Sequence, residues 1–282
     1  MIRLSDRDLA ANTRSAYDRA MDSLDLFCDG RPVTDTSFVE YLEFLFANGR
    51  KLSSAKLAIA AVNRRAKRLG RPSPLGEQTD AAMEGYRRTT IGVAQAPGIT
   101  WEKLDAIIAQ IHRDNAGLRD IAMLRVMSDC MMRVSEVAAL DVGNVGTTTI
   151  HVHRSKSDQH GEGAELFIGE PTLDAIRFWL LNADITEGPL FRPVYRDIVI
   201  PRRLSVRQIA HVIKARAGEA GFDASSHSLR VGTCQSLAEA GASLVEMQQA
   251  GRWKDPKMPA YYTRRQMAAR GAVAKYRYGS AA

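Results

Sequence analysis

Four side chains in the last third of the sequence have types and spacings suited to phosphate chemistry. His227 and Arg230 form an H-x-x-R pair, and residues three apart share one face at the start of a helix. Trp253 supplies a single N–H donor. Nine residues later, Tyr262 supplies a phenol, which can act as a covalent nucleophile. An imidazole, a guanidinium, an indole N–H and a phenol together suit an attack on a phosphate diester.

Two further cations lie upstream. Arg133 opens the helix-like segment RVSEVAAL, where Ser135 and Glu136 follow it, and Lys156 lies in the turn-rich stretch HRSKSDQHGEG. The planar fork of an arginine matches the oxygens of a phosphate and keeps its charge, so two arginines could clamp the non-bridging oxygens. The alternative is a surface ion pair for each arginine and a solvated side chain for the lysine.

The ordered set resembles the active-site pattern of the tyrosine recombinases, the phage-integrase family with its Cre-like and Xer-like members. That pattern is an arginine in an R-x-S-E-like segment, a lysine on a β-hairpin, H-x-x-R, a His or Trp, and a tyrosine nine residues later. Six positions in order are specific, whereas H-x-x-R alone is weak. The matching positions are Arg133, Lys156, His227, Arg230, Trp253 and Tyr262. Met131 stands where the family usually has a glycine, which predicts a local packing change.

The resemblance implies a role for each side chain. Tyr262 is the nucleophile and gives a 3′-phosphotyrosine with a free 5′-hydroxyl. His227 accepts or relays the phenol proton, unless it is a core or cap histidine at the helix start. Lys156 donates a proton to the leaving oxygen. Trp253 donates its N–H to the phosphate, and it could also be a core tryptophan. Glu136 matches the acidic position of the family and orients an active-site base, unless it is an ordinary helix carboxylate.

Tyr261 is the rival nucleophile, because it precedes Tyr262 directly. On a helix the two side chains point about 100° apart, so only one of them can face a given site. The nine-residue step from Trp253 selects Tyr262.

Neither a metal nor a nucleotide cofactor is predicted. His151 and His153 share one face of a strand, with His160 nearby, but no carboxylate or cysteine ligands accompany them at metal spacing. No P-loop or G-x-G-x-x-G is present in the sequence. The proposed chemistry needs neither, because two arginines and a lysine would neutralise the phosphate.

Composition restricts the broad class. The chain has 282 residues, of which 45% are hydrophobic and 25% charged, and it is long enough for two domains. A net charge of +7 and a pI of about 9.4 favour a polyanionic partner. Three cysteines without a C-x-x-C pair indicate buried reduced thiols. The sequence shows no signal-like segment and no apolar run that would span a membrane.

Apolar periodicity predicts four helices before residue 90, at 9–28, 36–48, 51–71 and 77–89. The third has an apolar stripe on one side, basic residues on the others and no acid. Such a helix favours contact with DNA phosphates, although a solvated helix face is the alternative. The candidate side chains are Lys56, Arg64, Arg65, Lys67, Arg68 and Arg71.

Two glycines and a proline at 91–99 predict a linker between a helical domain at 1–90 and a second domain at 100–282. The second domain should open with a helix capped by Thr100 and contain a β-hairpin, with Lys156 where a strand passes into the turn. The rest is helical or irregular, and two helices are predicted at 257–266 and 267–276.

A second basic segment, PRRLSVRQIAHVIKAR, contains a helix predicted at 206–219 with Ser205 as its cap. It resembles the family helix that enters the major groove, where side chains can read base edges. Contact with backbone phosphates alone is the alternative. The candidates are Arg202, Arg203, Arg207 and Gln208.

These observations predict a mainly α-helical protein with a small helical DNA-binding domain and a helical catalytic domain that carries a small antiparallel β-sheet. The resemblance implies a site-specific recombinase that cleaves and rejoins double-stranded DNA through a 3′-phosphotyrosine and a Holliday junction. It also implies a homotetramer on two DNA sites, with the C-terminal helix packed on a neighbouring protomer or else capping its own domain. The protein would be encoded by a bacterium or phage and act on the nucleoid in the cytoplasm. The alternatives are a type IB topoisomerase and a non-catalytic DNA-binding regulator.

Overall fold

The computed structural model describes residues 9–89, 95–153 and 163–269, together with 271, 276–277 and 279. The chain divides into two compact units, Met1–Ala94 and Gln95–Ala282. Both are mainly helical and the described strands are short, so the predicted fold class is confirmed. Within the described ranges, no helix is long and apolar enough to cross a lipid bilayer.

Four helices make up the first unit, as predicted, and their ends differ from the predicted ones by three residues or fewer. They are α1 (Ala11–Cys28), α2 (Asp35–Ala47), α3 (Leu52–Arg68) and α4 (Glu77–Thr89). Phe38 and Tyr41 of α2 lie in a buried core with Leu24 of α1 and Val62 of α3. The Asp35 carboxylate accepts the N–H groups of residues 76, 78 and 79 and therefore fixes the first turn of α4 against α2.

The second unit contains eight α-helices, a 3-10 helix at Val142–Asn144 and four short strands in its described part. The α-helices and strands are α5 (Trp101–Ala109), α6 (Asn115–Asp129), α7 (Val134–Ala139), β1 (Thr149–Val152), β2 (Ala164–Phe167), α8 (Glu170–Asn182), β3 (Val194–Tyr195), β4 (Ile198–Val199), α9 (Val206–Glu219), α10 (Ser228–Glu239), α11 (Leu244–Ala250) and α12 (Lys257–Ala269). The predicted helix boundary at 266 is wrong, because α12 continues through it.

Two helices, α6 and α10, form the centre of this unit. Both are buried on nearly every side, and Ser128 and Thr233 join them by a hydroxyl hydrogen bond of 3.0 Å. Ile99 crosses α10 so closely that a Cβ on Gly232 would lie 1.8 Å from its carbonyl oxygen. Residues 95–99 of the predicted linker are therefore grouped with the second unit, and a flexible linker stays a prediction.

The predicted β-hairpin is present as β1 paired antiparallel with β2, with Val152 opposite Ala164. Its connecting turn, which includes Lys156 and His160, lies outside the described residues. A second hairpin, β3–β4, occupies a segment expected to be irregular. Its two turn residues, Arg196 and Asp197, have φ of 49° and 63°. That conformation usually carries Asn-Gly, so the sequence lacked the usual turn signal.

Two predicted helix caps and the predicted state of the cysteines also agree with the structure. The Thr100 side chain accepts the N–H of Lys103 at 3.5 Å, and Ser205 caps α9, which spans the predicted 206–219. All three cysteines are buried and unpaired, as predicted.

Candidate active site

Arg230 is the fixed centre of the site. It lies in the first turn of α10 and is only 4% exposed. Its guanidinium donates to the carbonyl of Met131, just after α6, and to the carbonyl of Gly251, just after α11. Burial, reinforced by neighbouring Arg133 and Arg252, lowers the pKa of Arg230 to about 10, which still leaves it charged at neutral pH.

Met131 stands where the family pattern has a glycine, and the packing change expected there stays a prediction. Its φ is 46°, a left-handed conformation that glycine adopts without the Cβ penalty. Its side chain is buried with Cys234, Ala238 and Met247. Burial of this apolar side chain offsets the backbone cost, and the turn presents the Met131 carbonyl to Arg230.

Glu136 links two arginines beside this centre. Its Oε1 accepts from Arg133 Nη1 at 2.8 Å, and its Oε2 accepts the Arg133 backbone N–H at 2.9 Å and Arg252 Nη2 at 2.7 Å. Burial pushes the pKa of Glu136 upward, but Arg252 and Arg133 outweigh it, so the pKa is below its usual range. The carboxylate therefore stays ionised and orients Arg133.

Trp253 lies over the Arg230 guanidinium, and Tyr262 lies beside Trp253. The Arg230 guanidinium carbon lies 4.5 Å from the Trp253 ring centroid, a cation–π distance. The rings of Trp253 and Tyr262 are 5.7 Å apart. The indole packs so close to Gly251 that a Cβ there would lie 2.2 Å from it. Trp253 thus has the packing role that was left open beside its proposed N–H role.

Tyr262 packs beside Trp253, whereas Tyr261 faces solvent. Tyr262 is partly buried, and its carbonyl accepts from Gln95 Nε2 at 3.0 Å. Burial raises the pKa of its phenol, and nearby Arg230 only partly opposes this shift. Tyr261 is 38% exposed, with Arg264 at 5.0 Å from its ring.

His227 and Lys156 complete the predicted set. His227 occupies the N-cap position of α10, three residues before Arg230; it is exposed, and its backbone N–H donates to Ser225 Oγ at 3.2 Å. Lys156 lies outside the described residues. Arg133, Arg230, Trp253 and Tyr262 are brought together with Glu136 from segments far apart in sequence. The roles of all six predicted side chains remain proposals.

Comparison with known proteins identifies the family of this chain. The profile described as "Phage integrase family" matches residues 98–269, which include every one of the six positions. The chain belongs to the phage integrase family. The predicted kinship with tyrosine recombinases is confirmed, and the chain is an enzyme of DNA recombination.

Individual relatives agree with this placement. "Recombinase cre" of Escherichia phage P1 is 23% identical over 84% of this chain and 77% of its own length. An "Integrase/recombinase xerD homolog" of Selenomonas ruminantium is 27% identical over 91% of this chain and 82% of its own. A crystal structure of a lambda integrase dimer bound to a COC' core site has a TM-score of 0.66 at 16% identity, covering 92% of this chain and 91% of that one. That likeness shows a shared fold.

The DNA-binding candidates of this recombinase fall into two groups. On α3 and just after it, most of the basic side chains are exposed, Arg64 is partly buried, and Arg65 pairs with Asp25 at 2.9 Å. At α9, Arg203 is already engaged with Asp141 at 2.6 Å, and the Gln208 amide oxygen accepts from Ser205 in the capping box. The exposed candidates outside these two ion pairs are Lys56, Lys67, Arg68, Arg71, Arg202 and Arg207.

His151 in β1 and His153 just after it are each close to another polar side chain. His151 lies 2.7 Å from Glu165, and His153 lies 2.8 Å from Asn144. Among the residues described, no three His, Cys, Asp or Glu side chains are grouped as metal ligands.

Arg252 was missed at the sequence level. It lies between Gly251 and Trp253, and its side chain reaches Glu136, 116 positions earlier in the chain. In the sequence, the position of Arg252 directly before Trp253 was its one link to the candidate site. An arginine at that position does not predict which side chain it will bond.

Proposed function

We propose that Tyr262 attacks a phosphate of double-stranded DNA and is the nucleophile of this recombinase. The bond from the phenol oxygen to phosphorus forms as the bond from phosphorus to the 5′ oxygen breaks. The products are a 3′-phosphotyrosine and a free 5′-hydroxyl. A 5′-hydroxyl from a second strand then reverses the step, and two such rounds exchange the strands through a Holliday junction. The observation that carries this proposal is the position of Tyr262 beside Trp253 and Arg230, with Tyr261 turned to solvent.

The charges of the site suit this reaction. Arg133 and Arg230 would hold the non-bridging oxygens, where negative charge concentrates during transfer. Because burial raises the pKa of Tyr262, the phenol is neutral before attack and must lose its proton during it. His227 would take that proton, and Lys156 would give one to the leaving 5′ oxygen. Trp253 would donate its N–H to the phosphate. No step requires a metal or ATP, since the phosphotyrosine conserves the bond energy.

The exposed basic side chains of α3 and α9 would bind the phosphates of the duplex. Their exposure supports the proposal that DNA sites are the partners. We propose a homotetramer assembled on two DNA sites, each bound by two protomers. The C-terminal segment would pack on a neighbouring protomer, a role supported by the family resemblance. Most of the residues after 269 lie outside the described part of the chain. We propose that the enzyme acts in the bacterial cytoplasm, on the nucleoid.

Covalent trapping tests the proposed nucleophile. We would incubate the protein with labelled fragments from its own genetic element, each nicked opposite a candidate site, and isolate complexes that survive SDS. Peptide mapping should find DNA on Tyr262. Tyr262→Phe should bind DNA within about threefold of wild type and form no adduct, because its ring lacks the oxygen that attacks.

Tyr261→Phe is the matched control and should form the adduct at a rate near that of wild type. DNA linked to Tyr261 would move the nucleophile to the neighbouring residue. Tight, salt-sensitive binding without any adduct would contradict the proposal and favour a DNA-binding regulator.

A further inference from the structure

Arg252 is held in an unusual way. It has φ of 52° without being glycine, and its side chain is 14% exposed. Its Nη2 donates to Glu136 at 2.7 Å. Its Nε and Nη1 are buried, and neither finds a hydrogen-bond acceptor among the described residues. A left-handed backbone at a non-glycine residue and unsatisfied buried donors both destabilise the folded protein. The hydrogen bond from Arg252 to Glu136 is the contact that offsets these costs.

That contact bears directly on Arg133. A carboxylate offers about four acceptor positions on its two oxygens. Arg252 takes one on Oε2, which leaves Oε1 directed at Arg133 Nη1, 2.8 Å away. The remaining Arg133 contact, through its backbone N–H, also ends on Oε2. Without Arg252, Arg133 would be the one remaining cation partner of Glu136 among the described residues, and Glu136 could turn about its own side-chain bonds.

The same short segment serves three parts of the site. The Gly251 carbonyl accepts from Arg230, the Arg252 side chain reaches Glu136, and the Trp253 ring covers Arg230. The left-handed turn at Arg252 allows neighbouring side chains to point to different partners. Because Nε and Nη1 are shielded from solvent, Arg252 does not present them to a DNA phosphate in this arrangement.

We propose that Arg252 is a positioning residue for strand cleavage, which acts by holding Glu136 so that Glu136 holds Arg133 against the scissile phosphate. The inference rests on the proposed function of the site. It predicts that replacing Arg252 lowers the rate of strand cleavage and has little effect on the affinity for DNA.

The test compares binding with cleavage in the full-length protein. For Arg252→Met we expect an affinity for the DNA site within about threefold of wild type. Adduct formation on a nicked site, measured in a single turnover at saturating protein, should slow about 10²-fold, the usual cost of misplacing a reacting group by about 1 Å. Arg252→Lys should recover at least about fivefold of this loss, because it restores a cation beside Glu136. Arg177→Met is the matched control, since Arg177 is an exposed arginine paired with Asp174 at 3.2 Å, and both quantities should stay unchanged.

A double-mutant cycle tests the route through Glu136. In a Glu136→Gln background, Arg252→Met should cost less than about threefold, because interacting residues are not additive. A full 10²-fold loss in that background would overturn the proposal, since Arg252 would then act on something other than Glu136. An Arg252→Met rate equal to wild type would also overturn it.

Arg252→Gly separates the side chain from the backbone, because glycine favours the observed φ. It should be as slow as Arg252→Met. If Arg252→Met does not fold, the pair Arg252→Lys and Arg252→Gly decides instead, and equal rates for the two overturn the proposal. Absence of any wild-type adduct would refute the proposed function itself, whereas a fast Arg252 variant beside an active wild type refutes only this inference.

Discussion

The arginine cluster around Glu136 and the basic face of α3 use the same kinds of side chain in opposite ways. In the cluster, Arg230 is buried and bonded to two carbonyls, and Arg133 is bonded to a buried carboxylate. On α3, Lys56 and Lys67 are exposed, and the Arg65–Asp25 pair is about half exposed at both partners. A surface pair of this kind contributes about 0–1 kcal/mol.

The difference indicates a division of labour. Fixed charges that shed their water cost stability but need no reorganisation when a phosphate develops charge. Mobile, hydrated charges add affinity for a polyanion with little demand on geometry. Changes in the cluster should therefore alter the rate of cleavage, and changes on α3 should alter binding and its dependence on salt.

Among the charged and aromatic side chains around Tyr262, the largest effect should come from Arg230. Arg230→Met removes one phosphate donor and leaves the carbonyls of Met131 and Gly251 unpartnered. Loss of a single transition-state donor costs about 10²–10³-fold in rate, and each orphaned buried group costs about 1–3 kcal/mol of stability. Single-turnover adduct assays and thermal melts measure the two effects. A rate close to that of wild type would remove Arg230 from the catalytic set.

Glu136→Gln should lower both stability and its dependence on pH. Removing one partner of a buried charge pair costs about 3–5 kcal/mol, which corresponds to a fall in Tm of roughly 6–20 °C for a chain of this size. The folded pKa of Glu136 lies below its unfolded value, so its stabilising effect is present above the unfolded pKa and is lost as pH falls through the folded pKa. As the pH falls below about 4.3, the ordinary pKa of a glutamate, the Tm of wild type should therefore fall more steeply than that of the variant. Parallel curves would show that Glu136 does not titrate in this way.

Trp253 should show an intermediate effect. Trp253→Phe keeps an aromatic face over Arg230 but loses the N–H, and a lost hydrogen bond to a charged group of about 1.5 kcal/mol slows adduct formation about tenfold. Trp253→Ala also removes packing and should destabilise the protein by about 3 kcal/mol. Equal rates for Trp253→Phe and wild type would leave the residue with a packing role only.

The smallest effect on catalysis should come from α3. Replacing Lys56 and Lys67 with Gln should reduce the slope of log affinity against log salt by about 0.9 per lysine in contact with phosphate. Stability should change by less than about 0.5 kcal/mol, and the adduct rate at saturating protein should not change. The control is the exposed residue Lys257, outside both basic groups, changed to Gln in the same binding titration. An unchanged slope would assign α3 to a solvated face.

Local sequence determined the helices, because their apolar spacing and caps are short-range properties. The four helices of the first unit and the Ser205 cap were predicted to within a few residues. The β3–β4 hairpin was missed because its turn contains no glycine or asparagine. The residue types at the candidate site could also be predicted, since their order and spacing follow a known family pattern.

Tertiary structure alone decided which of those side chains meet and how they are held. The carbonyls that fix Arg230 come from Met131 and Gly251. Because every residue has a backbone carbonyl, residue type does not predict which of them will accept a hydrogen bond. The turn of Tyr261 towards solvent depends on how α12 packs against α10 and α11. The pairing of Arg252 with Glu136 spans 116 positions and has no local signature. Periodicity acts over a few residues, whereas charge pairing depends on distances that only the folded chain creates.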